Sequence, residues 1–210
     1  MSRAQLTSLL ALAALIWGSW LLVAGIPVGL EYLAPFSATI TVVFLVTIVF
    51  DRWIWKWGIF HGWLVPQPCV SGTWSVELQS SYASPETGKP LKPFNAYLVV
   101  RQTFSLVSVR LYSRETSSKS LSGQIRQNDD GEWVLSGVYL DTPKVKVRDR
   151  SHIHYGAFEL RVCGNPVTAI EGHYWTDRTT RGDIRSRGYR SETLHSFESA
   201  DKAFSDKTAP

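Results

Sequence analysis

The sequence predicts an N-terminal membrane α-helical hairpin, with two transmembrane helices, followed by an all-β domain. Two uncharged, largely apolar runs, 4–30 and 32–50, predict the hairpin. Beyond residue 63, apolar residues recur at every second position in eight short runs, which is the period of β-strands. We therefore predict three parts: a hairpin over 1–63, a β-barrel domain over 64–191 and a disordered tail over 192–210.

The length and the flanks of the apolar runs favour two membrane spans. A span needs about 20 apolar residues to cross about 30 Å of hydrocarbon. The alternative is a cleaved signal peptide followed by one span, but the first run is longer than an h-region of about 7–15 residues and is preceded by Arg3 alone. Arg3, Arg52 and Lys56 flank the spans, and Glu31 lies between them. The positive-inside rule then places both ends in the cytoplasm, which predicts a two-span membrane protein with its β-domain in the cytoplasm.

Small residues form a stripe along the first predicted span. Ala11, Gly18 and Gly25 recur every seven residues, and Ala14 lies four residues before Gly18. Small side chains allow helices to approach closely in lipid. The stripe fits packing against another copy of the chain or against the second span of the same hairpin, and the sequence leaves both open.

The second part of the chain predicts a minimal eight-stranded antiparallel lipocalin-like β-barrel. Turn signals separate several of the runs, as at Asn128, Thr142 and Cys163. Eight strands closed on themselves leave room for one small ligand. The predicted strands are VSGTWSVEL, NAYLVVRQ, FSLVSVRLYS, KSLSGQIRQ, EWVLSGVYL, HIHYGAFELRV, PVTAIEGHYWTDR and GDIRSRGYR. The polar tail after residue 191 has no core pattern and is predicted to be disordered.

Strand parity indicates which side chains share the barrel interior. In HIHYGAFELRV the inward face contains His154, Gly156 and Phe158, and in VTAIEGHYWTDR the inward set runs from Ile170 to Arg178. In FSLVSVRLYS parity is ambiguous, because both faces carry apolar residues. The predicted ligand-binding residues are Trp74, Arg110, Tyr112, His154, Tyr174, Thr176, Arg178, Thr180 and Arg181.

These residue types fit a ligand that contains bases and phosphates. Aromatic rings provide stacking faces worth about 1–3 kcal/mol per base. Arginines form charge-assisted hydrogen bonds with phosphate, each worth about 1.5–3 kcal/mol. The alternative is a solvated ion-pair hairpin around the turn, made by Asp177, Arg178, Arg181 and Asp183.

Other chemistry is weakly supported. His152, His154 and His173 fit a packed group better than a metal site, because acids are absent from their face. The sequence has no phosphate-binding glycine loop and no hydrolase motif, so we predict no enzyme, no metal and no cofactor. The residues after position 63 carry 19 basic and 16 acidic side chains, and this net charge of +3 is too small to indicate duplex nucleic acid. Cys69 and Cys163 are expected to be free thiols.

The segment EGHYWTDRTTRGDI, with the HYGAFEL and GTW strands and the two spans, resembles the two-transmembrane β-barrel effectors of bacterial anti-phage signalling. These effectors occur in cyclic-oligonucleotide-based (CBASS) systems and in the related Panoptes arrangement. The resemblance covers about residues 6–189 and implies a barrel that binds a cyclic dinucleotide made by a partner nucleotidyltransferase or polymerase. The positions that match the family pattern are Gly172, Tyr174, Trp175, Thr176, Arg178, Thr180, Gly182 and Ile184.

The resemblance further implies that the ligand controls oligomerisation of the membrane helices. In the CBASS-like form the ligand favours the assembly that disrupts the inner membrane and causes abortive infection. In the Panoptes-like form the ligand holds the effector inactive until phage sponges remove it. A third hypothesis, of another class, is a membrane-tethered barrel that binds an apolar ligand. The residues do not decide among these hypotheses.

Overall fold

The computed structural model of the protein describes residues 3–25, 30–83, 88–89 and 91–206. The chain divides into two compact units. The first contains residues 1–60 together with 103–105, and the second contains residues 61–102 and 106–210. The second unit carries the β-strands.

The first unit contains two α-helices, α1 (Arg3–Val23) and α2 (Leu30–Arg52), followed by short 3₁₀ turns at Ile54–Lys56 and Gly58–Phe60. Large apolar side chains of both helices are exposed, including Leu15 and Trp20 in α1 and Phe44 in α2. Among the described residues, neither helix combines the length and the apolar character that a membrane crossing requires. The predicted two-span hairpin is therefore not confirmed.

The second unit is a closed antiparallel barrel in which each strand pairs with its neighbours in the sequence and β1 pairs with β8. This confirms the predicted eight-stranded antiparallel barrel. Strand β5 extends three residues beyond the predicted run, because the segment around Thr142 continues the pairing with β4 where a turn was predicted. The strands are β1 (Gly72–Ser80), β2 (Phe94–Gln102), β3 (Val107–Tyr112), β4 (Thr116–Gln127), β5 (Trp133–Pro143), β6 (His154–Cys163), β7 (Ala169–Thr176) and β8 (Arg181–Arg190).

Apolar side chains fill the end of the barrel where β1 begins and β2 ends. Val70, Trp74, Val100, Leu135 and Ile170 are all at most 1% exposed. They belong to one continuous hydrophobic core. This end of the barrel is therefore filled by its own side chains.

The predicted disordered tail contains an ordered helix, so that prediction is wrong over α3 (Phe197–Ser205). Ser196 caps the helix through the backbone N–H of Ser199, and the Ser199 side chain accepts from the Ser196 backbone in return. Phe197 and Ala200, three residues apart on one face, pack against Tyr97 of β2. A helix of nine residues depends on such tertiary packing, since its own backbone bonds are marginal at that length.

Candidate functional site

The barrel contains a cavity of about 780 Å³ at the end where β1, β3, β5 and β7 finish. Small-molecule sites typically enclose about 300–1,000 Å³. Apolar side chains such as Leu98, Val109, Phe158 and Leu160 form the floor, and polar side chains surround the mouth. The arrangement fits a ligand that is apolar or aromatic on one side and polar on the other.

Five of the predicted site residues line this cavity. Tyr174 and Thr176 project from β7, His154 from β6, and Arg178 and Thr180 from the turn between β7 and β8. The inward assignment of these two strands follows from alternation, because each has its apolar residues at every second position. The burial of both strands confirms that assignment.

The other four predicted ligand-binding residues do not line the cavity, which corrects their assignment. Trp74 is buried in the packed end of the barrel, where its indole N–H donates to the carbonyl of Val70 at 3.1 Å. Arg110 and Arg181 are exposed on the outer surface. Tyr112 packs outside the barrel with the cluster around α3. In β3 the residues that face inward are Val107, Val109 and Leu111. Arg110 and Tyr112 alternate with them and therefore face outward.

The three histidines proposed as a metal alternative also separate. His154 is buried, whereas His152 is exposed before β6 begins. His173 is exposed and lies beside the Trp175 ring at 5.7 Å between centroids. These positions do not bring the three imidazoles to one point.

Two tyrosine rings lie flat across neighbouring glycines inside the cavity. A Cβ on Gly182 would lie 2.8 Å from Cε1 and 2.9 Å from the hydroxyl of Tyr174. A Cβ on Gly156 would overlap the ring of Tyr139. Burial raises the pKa of both tyrosines. The rings are therefore neutral, and the two glycines explain how they fit against the wall.

Arg178 folds back from its turn towards the start of β6. Its guanidinium lies 3.3 Å from the hydroxyl of Ser151, 3.5 Å from the carbonyl of His152 and 3.4 Å from Nε2 of His154. Its Nε is buried without a hydrogen-bond acceptor among the described residues. A guanidinium carries five N–H donors, so Arg178 keeps capacity for an anionic ligand.

The contacts of His154 define its tautomer. Nδ1 lies 3.1 Å from the carbonyl oxygen of His152, which can only accept, so Nδ1 carries the proton. Nε2 then has a free lone pair and accepts from Arg178, which can only donate. His154 thus positions the guanidinium at the cavity wall.

Sequence reasoning missed Asp141, a buried carboxylate beside these groups. It is 5% exposed and lines the cavity near the end of β5. It lies directly across the sheet from Ser118 on one side and His154 on the other. Burial raises the pKa of Asp141, while His154, hydrogen bonds from Thr116 and Ser118, and Arg178 oppose that rise. The alternation of Leu135, Gly137 and Tyr139 in β5 continues to Asp141 and could have revealed it.

Further charged side chains surround the mouth. Lys92, Arg114 and Arg150 line the cavity together with Glu115 and Asp201. Arg150 pairs with Glu115, and Arg114 lies over the Phe197 ring at 5.8 Å. Residues of α3 therefore contribute to one wall of the mouth. Because these groups precede the strands or follow the predicted barrel, strand parity alone did not identify them.

Fold and site together define a β-barrel of the ligand-binding type, with a packed apolar end and a cavity whose mouth is lined by polar and charged side chains. The chain belongs to the Cap15 family: residues 65–187 match the family model described as Cap15, cyclic dinucleotide receptor domain. The CD-NTase-associated protein 15 of Staphylococcus schleiferi is 32% identical to it over 149 residues, covering 71% of this chain and 76% of that protein.

This membership confirms the resemblance to CBASS effectors that the sequence indicates. The family domain binds a ligand and is not catalytic, which agrees with the prediction that the chain is no enzyme. The matched region begins before β1 and ends within β8. It includes neither the N-terminal helices nor α3.

Proposed function

We propose that this protein is an anti-phage effector whose barrel binds a cyclic dinucleotide made by a partner nucleotidyltransferase. The observation that carries the proposal is the position of Arg178 in a cavity that also presents the Tyr139 and Tyr174 rings. A cyclic dinucleotide has two bases to stack and two phosphates to bind, so it uses both kinds of group. The match to a cyclic dinucleotide receptor domain supports the same ligand class.

The proposal extends to the membrane through the N-terminal helices. It places a two-span hairpin in the inner membrane and the barrel in the cytoplasm, because Arg3, Arg52 and Lys56 flank the apolar runs. Exposed apolar side chains on both helices, such as Leu15 at 68% and Leu45 at 54%, support a lipid environment.

Ligand binding is proposed to change self-association of these helices and so to disrupt the membrane. In the described part of the chain, and apart from the chain neighbours of Gly18 and the local backbone of its own helix, no atom lies within 4 Å of a Cβ built on Gly18, so this position of the small-residue stripe is open to another copy. The ligand can shift assembly only if it binds one assembly state more tightly than the other. We propose that it favours the disruptive assembly; the opposite coupling describes an effector that the ligand holds inactive.

A binding panel tests the receptor part of the proposal. The full chain in detergent micelles is titrated calorimetrically with cyclic di-GMP, cyclic di-AMP, cyclic GMP-AMP and cyclic di-UMP. Saturable binding of at least one of them at micromolar or lower concentration is expected. A folded protein that binds none of them contradicts the proposed function.

A vesicle assay tests the membrane part. The full chain is reconstituted into phosphatidylethanolamine–phosphatidylglycerol vesicles that contain a self-quenched dye. Addition of the ligand identified in the panel is expected to release dye and to increase the oligomer size seen after cross-linking. If the vesicles leak without ligand and the ligand suppresses the leak, the inhibitory coupling is correct.

The apolar floor of the cavity favours one competing function, a tethered barrel that binds an apolar ligand. Leu78, Leu98 and Leu111 would contact such a ligand, and the cationic mouth would not be needed. Titration with a long-chain fatty alcohol, which lacks any anion, distinguishes the two. Saturable binding of the alcohol together with no response to the cyclic dinucleotides would support the competing function.

A further inference from the structure

Asp141 presents an unusual problem for a cavity that receives a ligand with two negative charges. Its carboxylate lines the same cavity as Arg178 and is nearly inaccessible from outside the barrel. A buried carboxylate beside an anion is unfavourable unless the ligand offers it hydrogen-bond donors. A nucleotide can do so, because its phosphate and the N–H groups of its base lie at opposite ends of the molecule.

The partners that Asp141 already has leave it able to accept more bonds. An ionised carboxylate accepts about four hydrogen bonds, and the hydroxyls of Thr116 and Ser118 supply two donors. Nδ1 of His154 is 3.8 Å from Oδ2 of Asp141, which exceeds hydrogen-bond distance, and it donates to a backbone carbonyl instead. Among the described residues, these contacts leave acceptor capacity on Asp141 for groups inside the cavity.

The neighbours of Asp141 suit a flat ring system. Tyr139 lies two residues earlier on the same face of β5, and the Phe158 ring lies 6.3 Å from it between centroids at an interplanar angle of 29°. The Tyr174 ring lines the same cavity. A base stacked on these rings would turn one edge towards the row formed by Ser118, Asp141 and His154.

We infer that Asp141 is a specificity-determining residue that binds the Watson–Crick edge of a guanine base in the cyclic dinucleotide. Guanine places two N–H donors side by side, at N1 and at the 2-amino group, and these match the two oxygens of one carboxylate. The Watson–Crick edges of adenine and cytosine offer one amino donor beside an acceptor. Uracil offers one N–H between two carbonyl oxygens, which the carboxylate repels. This inference rests on the proposed function, since it names the base that the same cavity selects.

The test uses the full chain in detergent micelles and three ligands: cyclic di-GMP, cyclic di-IMP and cyclic di-UMP. Cyclic di-IMP differs from cyclic di-GMP only by lacking the 2-amino groups, so it removes one of the two donors without any change in the protein. A hydrogen bond to a charged group is worth roughly a 10- to 100-fold change in affinity. The wild-type protein is therefore expected to bind cyclic di-GMP about tenfold or more tighter than cyclic di-IMP, and cyclic di-UMP most weakly.

The variant Asp141→Asn supplies the protein side of the test. The amide has nearly the same shape but presents an N–H to one of the guanine donors, so it should weaken cyclic di-GMP binding by roughly 10- to 100-fold. It should strengthen cyclic di-UMP binding, because it removes the negative charge that repels the uracil carbonyl oxygens and can donate to one of them. Asp183→Asn, on the exposed outer face of β8, is the matched control and should not change the affinity for either ligand. Thermal unfolding of each variant verifies that the barrel is intact.

The possible failures are distinguishable. If the wild-type protein binds no cyclic dinucleotide, the proposed function fails and the inference fails with it. If it binds cyclic di-IMP or cyclic di-UMP as tightly as cyclic di-GMP, the receptor function stands and the guanine inference is overturned. The inference is also overturned if Asp141→Asn keeps the wild-type preference. A misfolded variant does not prevent the test, since the comparison of cyclic di-GMP with cyclic di-IMP uses the unchanged protein.

Discussion

Replacing Arg178 with alanine is expected to remove most of the affinity for a cyclic dinucleotide. Each charge-assisted hydrogen bond to phosphate is worth about 1.5–3 kcal/mol. One lost contact therefore corresponds to roughly a 10- to 150-fold rise in Kd, since about 1.4 kcal/mol is a factor of ten. The contacts of Arg178 with Ser151 and His154 are 3.3–3.4 Å long and exist without ligand, so losing them reduces stability more than affinity.

Arg181, three residues further along the chain at the start of β8, provides the matched control. Both residues carry the same charge, but Arg181 is exposed on the outer surface and does not line the cavity. Calorimetric titration of the full chain with its tightest-binding cyclic dinucleotide is expected to give Arg181→Ala a Kd within about threefold of wild type, the scale of a screened surface charge. The Kd of Arg178→Lys should lie between those of wild type and Arg178→Ala, because lysine keeps the charge but lacks the planar guanidinium that binds phosphate through two hydrogen bonds.

The dependence on salt adds a readout that a merely structural role of Arg178 would not change. Wild-type affinity should fall as salt rises, and Arg178→Ala should show a smaller fall because one cationic contact is missing. Thermal unfolding shows whether each variant is folded. Equal affinities for Arg178→Ala and wild type, or equal losses for both alanine variants, would refute the assignment of Arg178 to the ligand.

Three further predictions concern the ring platforms, α3 and the packed end. Gly156→Ala should displace the Tyr139 ring, destabilise the barrel by about 1–3 kcal/mol and weaken ligand binding, whereas Tyr139→Phe should bind normally; thermal unfolding and titration measure both. Burial and a 2.8 Å hydrogen bond to Asp201 raise the pKa of Tyr97 from 10.0 to about 12. A raised folded-state pKa stabilises the fold below pH 10 and loses that effect between pH 10 and about 12, so the difference in unfolding free energy between wild type and Tyr97→Phe should shrink across this interval. Trp74→Ala should lower stability by about 3–5 kcal/mol in urea unfolding, and a destabilised variant that is still folded should bind ligand with wild-type affinity.

Much of the barrel follows from the sequence, because local periodicity and cross-strand burial agree in most strands. In β6 and β7 every second residue is apolar or small, so the inward positions of His154, Tyr174 and Thr176 were predictable. In β3 both faces carry apolar residues, and parity cannot choose between them. The helix α3 partly covers the outer face of β3, and Tyr112 packs there. An aromatic residue on that face therefore does not indicate that the face points into the barrel.

The errors have a common physical origin in contacts between distant parts of the chain. The tail has few apolar residues, and its helix forms because Phe197 and Ala200 pack on the barrel while Tyr97 donates to Asp201. Asp141 was overlooked because the proline at 143 and the threonine before it suggested a turn. Pairing with β4 keeps this segment extended and turns the carboxylate inward.

The sequence by itself determined the strand content, the inward faces of the last strands, the family and therefore the class of ligand. These depend on alternation and on a short motif, both of which are local properties of the chain. The tertiary structure decided which end of the barrel is open, which arginine of the β7–β8 turn enters it, and which carboxylate and α3 side chains line it. Closure of the barrel determines all of these features, because the register of the eight strands brings residues that are far apart in sequence to the same level of the cavity.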